Sequence, residues 1–120
     1  MVETVHGSDG FSDQDIENAT SVITCDLQGT VTKFTNGAQK LFGYAPEEVE
    51  GKQSVAVFHK PENLPLVPQL LQTAVEKGIW ENELELVRKG GQTFRAKLAV
   101  RPMYRNGQLT GYMGITRPLK

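Results

Sequence analysis

The strongest constraint on this chain lies in its last third, residues 80–117, which read WENELELVRKGG, QTFRAKLAVRPMYRNG and QLTGYMGITR. Each run alternates in the manner of a strand, and the runs are separated by Lys89-Gly90-Gly91 and Arg105-Asn106-Gly107. Gly-Gly and Asn-Gly supply the positive φ that tight hairpin turns require, so the spacing predicts three sequential antiparallel strands. Such a meander must bury one of its faces against something, and the preceding residues have to provide the cover.

They are sufficient for it. A chain of 120 residues is of single-domain size, and 38% apolar with 22% charged residues is a globular balance. A net charge of −1 argues against binding nucleic acid or an anionic membrane surface by electrostatics. No apolar run approaches a membrane span, and the opening MVETVHGSDG lacks the basic start and apolar core of a signal peptide. A single cysteine, Cys25, cannot form an internal disulfide and fits a reducing cytoplasm.

Taken in order, residues 1–11 are polar and expected to be flexible. Residues 12–21 are expected to form a docking helix, capped by Ser12 or Asp13, with Ile16, Ala19 and Ile23 on one apolar stripe. Strands are expected at 22–27 and 30–34 around Gln28-Gly29, then a short helix over NGAQKLF ending at Gly43. Pro46-Glu47-Glu48 opens a further helical turn, 53–58 is read as another brief helix, and 59–65 as loop. The longest helix follows at 66–77, where Leu66, Val67, Leu70, Leu71, Ala74 and Val75 repeat at helical spacing before Gly78.

The ordered set Asp26, Gly29, Asn36-Gly37-Ala38, Phe42-Gly43-Tyr44, Glu48 and Gly51 resembles the first half of a PAS domain. Trp80-Glu81-Asn82-Glu83, Arg88-Lys89-Gly90-Gly91 and residues 111–117 resemble its second half. The resemblance covers residues 22–117, with 118–120 as a C-terminal exit where Pro118-Leu119-Lys120 stands in place of the family's usual Asp-Ile-Thr. It implies an α+β fold, a five-stranded antiparallel sheet in spatial order 2-1-5-4-3 with short helices on one face. It also implies a sensory role, in which the state of a pocket is relayed through the sheet to an output domain or partner, as in bacterial chemoreceptors, redox sensors and sensor kinases. By the same resemblance Glu48 and Lys89 would pair across the mouth of the pocket.

Candidate chemistry narrows from there. No Ser/His/Asp, Cys/His or zinc-ligand grouping has a structural context, and Glu81, Glu83 and Glu85 share one solvated strand face, so catalysis is not expected. The helix at 66–77 carries no histidine where haem-binding relatives place theirs, and His59, in the loop before it, is read as a capping or exposed residue. Ser54 stands where light-sensing members of the LOV type carry the adduct-forming cysteine, which removes a covalent photoswitch. Their flavin-gripping asparagines would fall at Leu86 and Ala96, and their signalling glutamine at Thr116. Trp80 occupies a position where redox-sensing relatives resembling the aerotaxis receptor also carry tryptophan near FAD, so a non-covalent flavin stands as a candidate and the cofactor is otherwise unknown. Two classes stay open: a sensor whose cavity is lined by Trp80, Leu84, Leu86, Phe94, Ala96, Leu98 and Thr116, or a ligand-free module for dimerisation and partner docking.

Strand parity bears on the second class. If Leu86, Ala96 and Thr116 face inward, Val87, Ala99, Met113 and Ile115 face outward. An outer cluster of Val87, Met113 and Ile115 would need cover, and the helix bearing Ile16, Ala19 and Ile23 is expected to supply it in a homodimer built from the N-terminal helices and the outer sheet face, the alternative being a monomer whose helix folds back on its own sheet.

Overall fold

In a computed structural model, residues 21–119 are described. Their strands are β1 (Ser21–Asp26), β2 (Val31–Phe34), β3 (Trp80–Val87), β4 (Thr93–Arg105) and β5 (Gln108–Pro118). Between β2 and β3 run α1 (Asn36–Phe42), α2 (Pro46–Val49), two 3₁₀ turns at Val55–Phe58 and Pro61–Asn63, and α3 (Leu66–Lys77). The strands form one antiparallel sheet in the order β2-β1-β5-β4-β3, as the resemblance implied.

The two hairpin turns have the expected backbone. Gly90 and Gly91 both sit at φ 95°, and Asn106 and Gly107 at 52° and 81°, the left-handed pair of a type I′ turn. Because β5 returns beside β4 and then pairs along all of β1, the first and last strands lie at the sheet centre. The helices cover one face, where Phe34, Phe42, Phe58, Leu70, Leu86 and Ala96 form the core. Pro118, last in β5, pairs with Ala96, and Leu119 N–H donates to Arg95 C=O at 2.9 Å.

Two expectations about the outer face are corrected. Ile23 belongs to β1, paired with Phe34 and Gly114 and turned into the core, so it is no part of a helical stripe. Its spacing from Ile16 and Ala19 satisfied a helical period, but the strand run of residues 22–26 satisfied a period of two and won through pairing on both sides. Ile16, Ala19 and the rest of residues 1–20 lie outside the described residues, whereas Ser21, placed at the end of that helix, opens β1. Nor does Val87 join Met113 and Ile115 in a cluster. Antiparallel register puts Ile115 beside Ala99 and Glu81, Met113 beside Arg101, and Val87 at the far end of β3 beside Thr93. What Ile115 shares is a shallow outer groove with Ile79 and Ala99, rimmed by Glu81, Lys97, Arg101 and Arg117.

Glu81 and Glu83 face solvent against Lys97 (3.4 Å) and Arg95 (3.8 Å), and Glu85 holds Lys60 at 2.8 Å. The third pair ties the loop after the first 3₁₀ turn to the edge of the sheet.

Candidate functional site

A cavity of ≈ 60 Å³ lies between the sheet centre and α3. Its floor is a patch of inward residues in cross-strand register. Leu98 pairs with Thr116, Val100 with Gly114, and Gly114 and Tyr112 pair in turn with Ile23 and Cys25 of β1. Gly114 is the low point of that floor, for a Cβ there would meet only Leu98 Cδ1 at 3.6 Å and two carbonyl oxygens beyond it. The roof is Val67, Leu70 and Leu71 of α3, and the end wall is Phe42 with Phe58, ring centroids 4.7 Å apart.

Of the residues expected to line a pocket, the structure brings together Leu86, Leu98 and Thr116. The other four lie elsewhere. Leu84 and Ala96 are buried in the core without reaching the cavity, and Trp80 and Phe94 are half-buried against that core. The reason is position along the strand: the cavity lies over β1, β5 and the middle of β4, and β3 reaches it only at Leu86, the residue that His59 bridges, so Trp80 and Leu84 fall short of it. Parity was a usable signal for Val100, Tyr112 and Gly114, which alternate with Leu98 and Thr116. No local signal pointed to Ile23 or Cys25, because only sheet order sets β1 beside β5.

His59 departs most from expectation. Rather than being exposed, it is half-buried, lines the cavity, and bridges to Leu86 of β3. Its Nδ1 is buried with no hydrogen-bond partner among the described residues. Desolvation lowers the imidazole pKa to about 4 from an ordinary 6.5, so the ring is neutral at pH 7. The sign of the linkage follows. Between pH 6.5 and 4 the unfolded chain takes up a proton that the folded one refuses, so stability falls as pH drops through that window and is unaffected above it. At pH 5 the loss from this group is expected to be about 2 kcal/mol. Urea denaturation at pH 7 and pH 5 checks it, since His59→Leu should flatten the difference; equal pH slopes in both proteins would refute the assignment.

The remaining polar lining is sparse. Burial pushes the Cys25 thiol up to about 11, which leaves it a protonated small side chain and not a nucleophile. Tyr112, also raised by burial, and Thr116 complete the set, and among the described residues no charged side chain lines the cavity. Ser54, at the place of the photoactive cysteine, accepts a hydrogen bond from Ala56 N–H at 3.1 Å and caps the first 3₁₀ turn. No cluster of three or more metal-ligating side chains occurs among the described residues.

Two contacts pin the short helices to the β3–β4 hairpin. Lys89 Nζ pairs with Glu48 Oε2, and Lys89 N–H donates to Phe42 C=O at 2.8 Å. The ion pair lowers the Glu48 carboxyl pKa, chiefly through the Lys89 hydrogen bond. Both side chains are about half exposed, so its role is positional more than energetic. Among the described residues no helix is long and apolar enough to cross a membrane.

Comparison with known proteins agrees with this architecture. A family profile described as PAS domain matches residues 19–117. The chain is 28% identical over 100 residues to "Two-component system protein A" of Emericella nidulans, covering 82% of this chain and 15% of that protein. It is 25% identical over 99 residues to the "Aerotaxis receptor" of Escherichia coli, covering 82% of this chain and 20% of that one. Among solved structures, a PAS domain from Colwellia psychrerythraea superposes with a TM-score of 0.79 at 23% identity, covering 98% of this chain and 94% of that one.

Proposed function

The chain belongs to the PAS family, and we propose that it is a sensory module that binds a small molecule in the cavity beneath α3 and relays occupancy through the sheet. The family consists of sensory modules, and both matched relatives are named for signalling. The chain spans 15% and 20% of their lengths, so a signal partner or output domain is part of this proposal. The observation that carries it is the cavity itself, apolar, partly open, and floored by the three inner strands β1, β5 and β4. A side chain displaced over β1 and β5 moves the strands whose other face carries the Ile115 groove, the surface we assign to a second copy or an output domain. Catalysis is no part of this reading, since burial weakens the one lining base, the His59 imidazole, to a pKa of about 4, and its Nδ1 is hydrogen-bonded to neither the Cys25 thiol nor a hydroxyl. A reducing compartment suits the buried free thiol.

A flavin fits this lining poorly. An apolar cavity of about 150 Å³ admits one benzene ring, so one of ≈ 60 Å³ encloses less than a ring and takes a single one only by way of its open side, against the flavin's three. Leu86 and Ala96 would also leave the polar edge of the ring without partners, at about 1–3 kcal/mol per group.

The test is a titration of the purified protein with single-ring compounds, followed by methyl NMR, together with an absorbance spectrum. Val100, Leu98 and Leu70 methyl resonances are expected to move on binding and that of Ile115 on the outer face to follow, and the band near 450 nm (about, from flavin colour) is expected to be absent. Failure of every compound to shift the cavity methyls would leave the ligand-free docking module as the better reading.

A further inference from the structure

The polarity of the cavity is confined to few atoms, and one of them lacks a partner. His59 Nδ1 is buried and makes no hydrogen bond among the described residues, in a cavity otherwise walled by aliphatic and aromatic groups. An orphaned buried polar atom is costly, and a ligand that pairs with it recovers that cost on binding. A neutral imidazole carries one N–H and one lone pair, and either can fall at Nδ1. A hydroxyl donates and accepts, so it can pair with Nδ1 in either tautomer. Charge is selected against, because His59, the one lining group that could pair with a carboxylate by taking up a proton, is held neutral at pH 7, and none of the lining residues carries a negative charge for an ammonium.

We infer that the cavity takes a compact, uncharged, mostly apolar molecule bearing one hydroxyl, of one ring or smaller, and that this hydroxyl hydrogen-bonds to His59 Nδ1. The inference rests on the ligand-binding reading above and narrows its chemistry. His59 is well placed for the role. Its backbone bridges to Leu86, and the next residue, Lys60, is held to Glu85 at 2.8 Å, so the imidazole is carried on a strap fastened to β3 and not on a free loop.

The experiment uses three probes of nearly equal shape, phenol, toluene and benzoate, titrated into the whole chain at pH 7 and followed by methyl NMR. Toluene is the more hydrophobic, so without a polar partner it should bind better than phenol; with Nδ1 as partner phenol is expected to match or exceed it. His59→Leu is expected to lower the phenol-to-toluene affinity ratio by about tenfold or more, the worth of one otherwise unmade buried hydrogen bond. His59→Asn, whose amide reaches the position of Nδ1, is expected to preserve most of the ratio. Benzoate is expected not to bind. Imidazole ¹⁵N spectra of the unmodified protein give a readout independent of any variant's folding: the Nδ1 resonance should move with phenol and stay with toluene. A ratio unchanged in His59→Leu, an Nδ1 resonance indifferent to phenol, or tight binding of benzoate would each overturn the inference while leaving a ligand cavity in place. Binding of none of the three would overturn the inference and the cavity reading together.

Discussion

Replacing Gly111 with alanine is expected to cost the fold about 3 kcal/mol or more, a large share of the roughly 5–15 kcal/mol by which a domain of this size is stable. A Cβ at Gly111 would lie 2.0 Å from the carbonyl oxygen of Cys25, 3.1 Å from its carbonyl carbon and 3.2 Å from Cα of Asp26. All three are backbone atoms of β1, so no rotamer can relieve the contact. Relief requires the Asp26–Gly111 end of the β1–β5 ladder to part, and β2 joins the sheet only through β1. Gly114→Ala is the matched control on the same strand. Its Cβ would make ordinary contacts at 3.6 Å and beyond, so it is expected to change stability by less than about 1 kcal/mol while narrowing the cavity floor. Urea denaturation of the two variants decides the matter, and a Gly111→Ala protein as stable as its Gly114→Ala counterpart would show that the strands are not so closely apposed.

The second large effect concerns the end wall. Phe42 is 1% exposed and is the largest fully buried side chain among the described residues. Its ring lies 4.7 Å from Phe58, 5.6 Å from Phe94 and 6.4 Å from Phe34, centroid to centroid. Phe42→Ala is therefore expected to cost about 3–5 kcal/mol, from lost transfer energy and the void left behind. Phe94 belongs to the same cluster but is half-buried, with Arg88 stacked 4.5 Å over its ring. Its truncation is expected to cost about 1–2 kcal/mol, since less apolar area returns to water. Equal unfolding midpoints for the two alanine variants would contradict this ranking. Phe42→Ala should also enlarge the cavity, so whatever folded protein remains is expected to admit bulkier rings than the parent.

Much of this molecule follows from local rules. Period-two alternation, Gly90-Gly91 and Asn106-Gly107 sufficed to place the three long strands and their turns, because side-chain alternation and positive φ are properties of a few consecutive residues. The same parity correctly set Leu86, Leu98 and Thr116 inward and Ile115 outward. The helix of Leu66–Lys77 followed as directly from its apolar spacing and its closing glycine, which adopts φ 86°. Strand order was not legible in those rules, since pairing β5 with β1 joins residues nearly a full chain apart, and it came instead from resemblance to a family.

What only the tertiary structure decided is depth and neighbourhood. Ile23 fitted two periods at once, and the partners on either side of β1 chose between them. Trp80 and Leu84 have the parity of pocket residues, as does Leu86 on the same strand, but only Leu86, beside the His59 bridge, reaches the cavity. His59 is followed by Lys60 and Pro61, a context that reads as exposed loop. It is buried because its backbone bridges to Leu86, and burial in turn holds the ring neutral. A side chain's environment depends on residues distant in the chain, so local sequence can state which chemistry a position carries but not whether water reaches it.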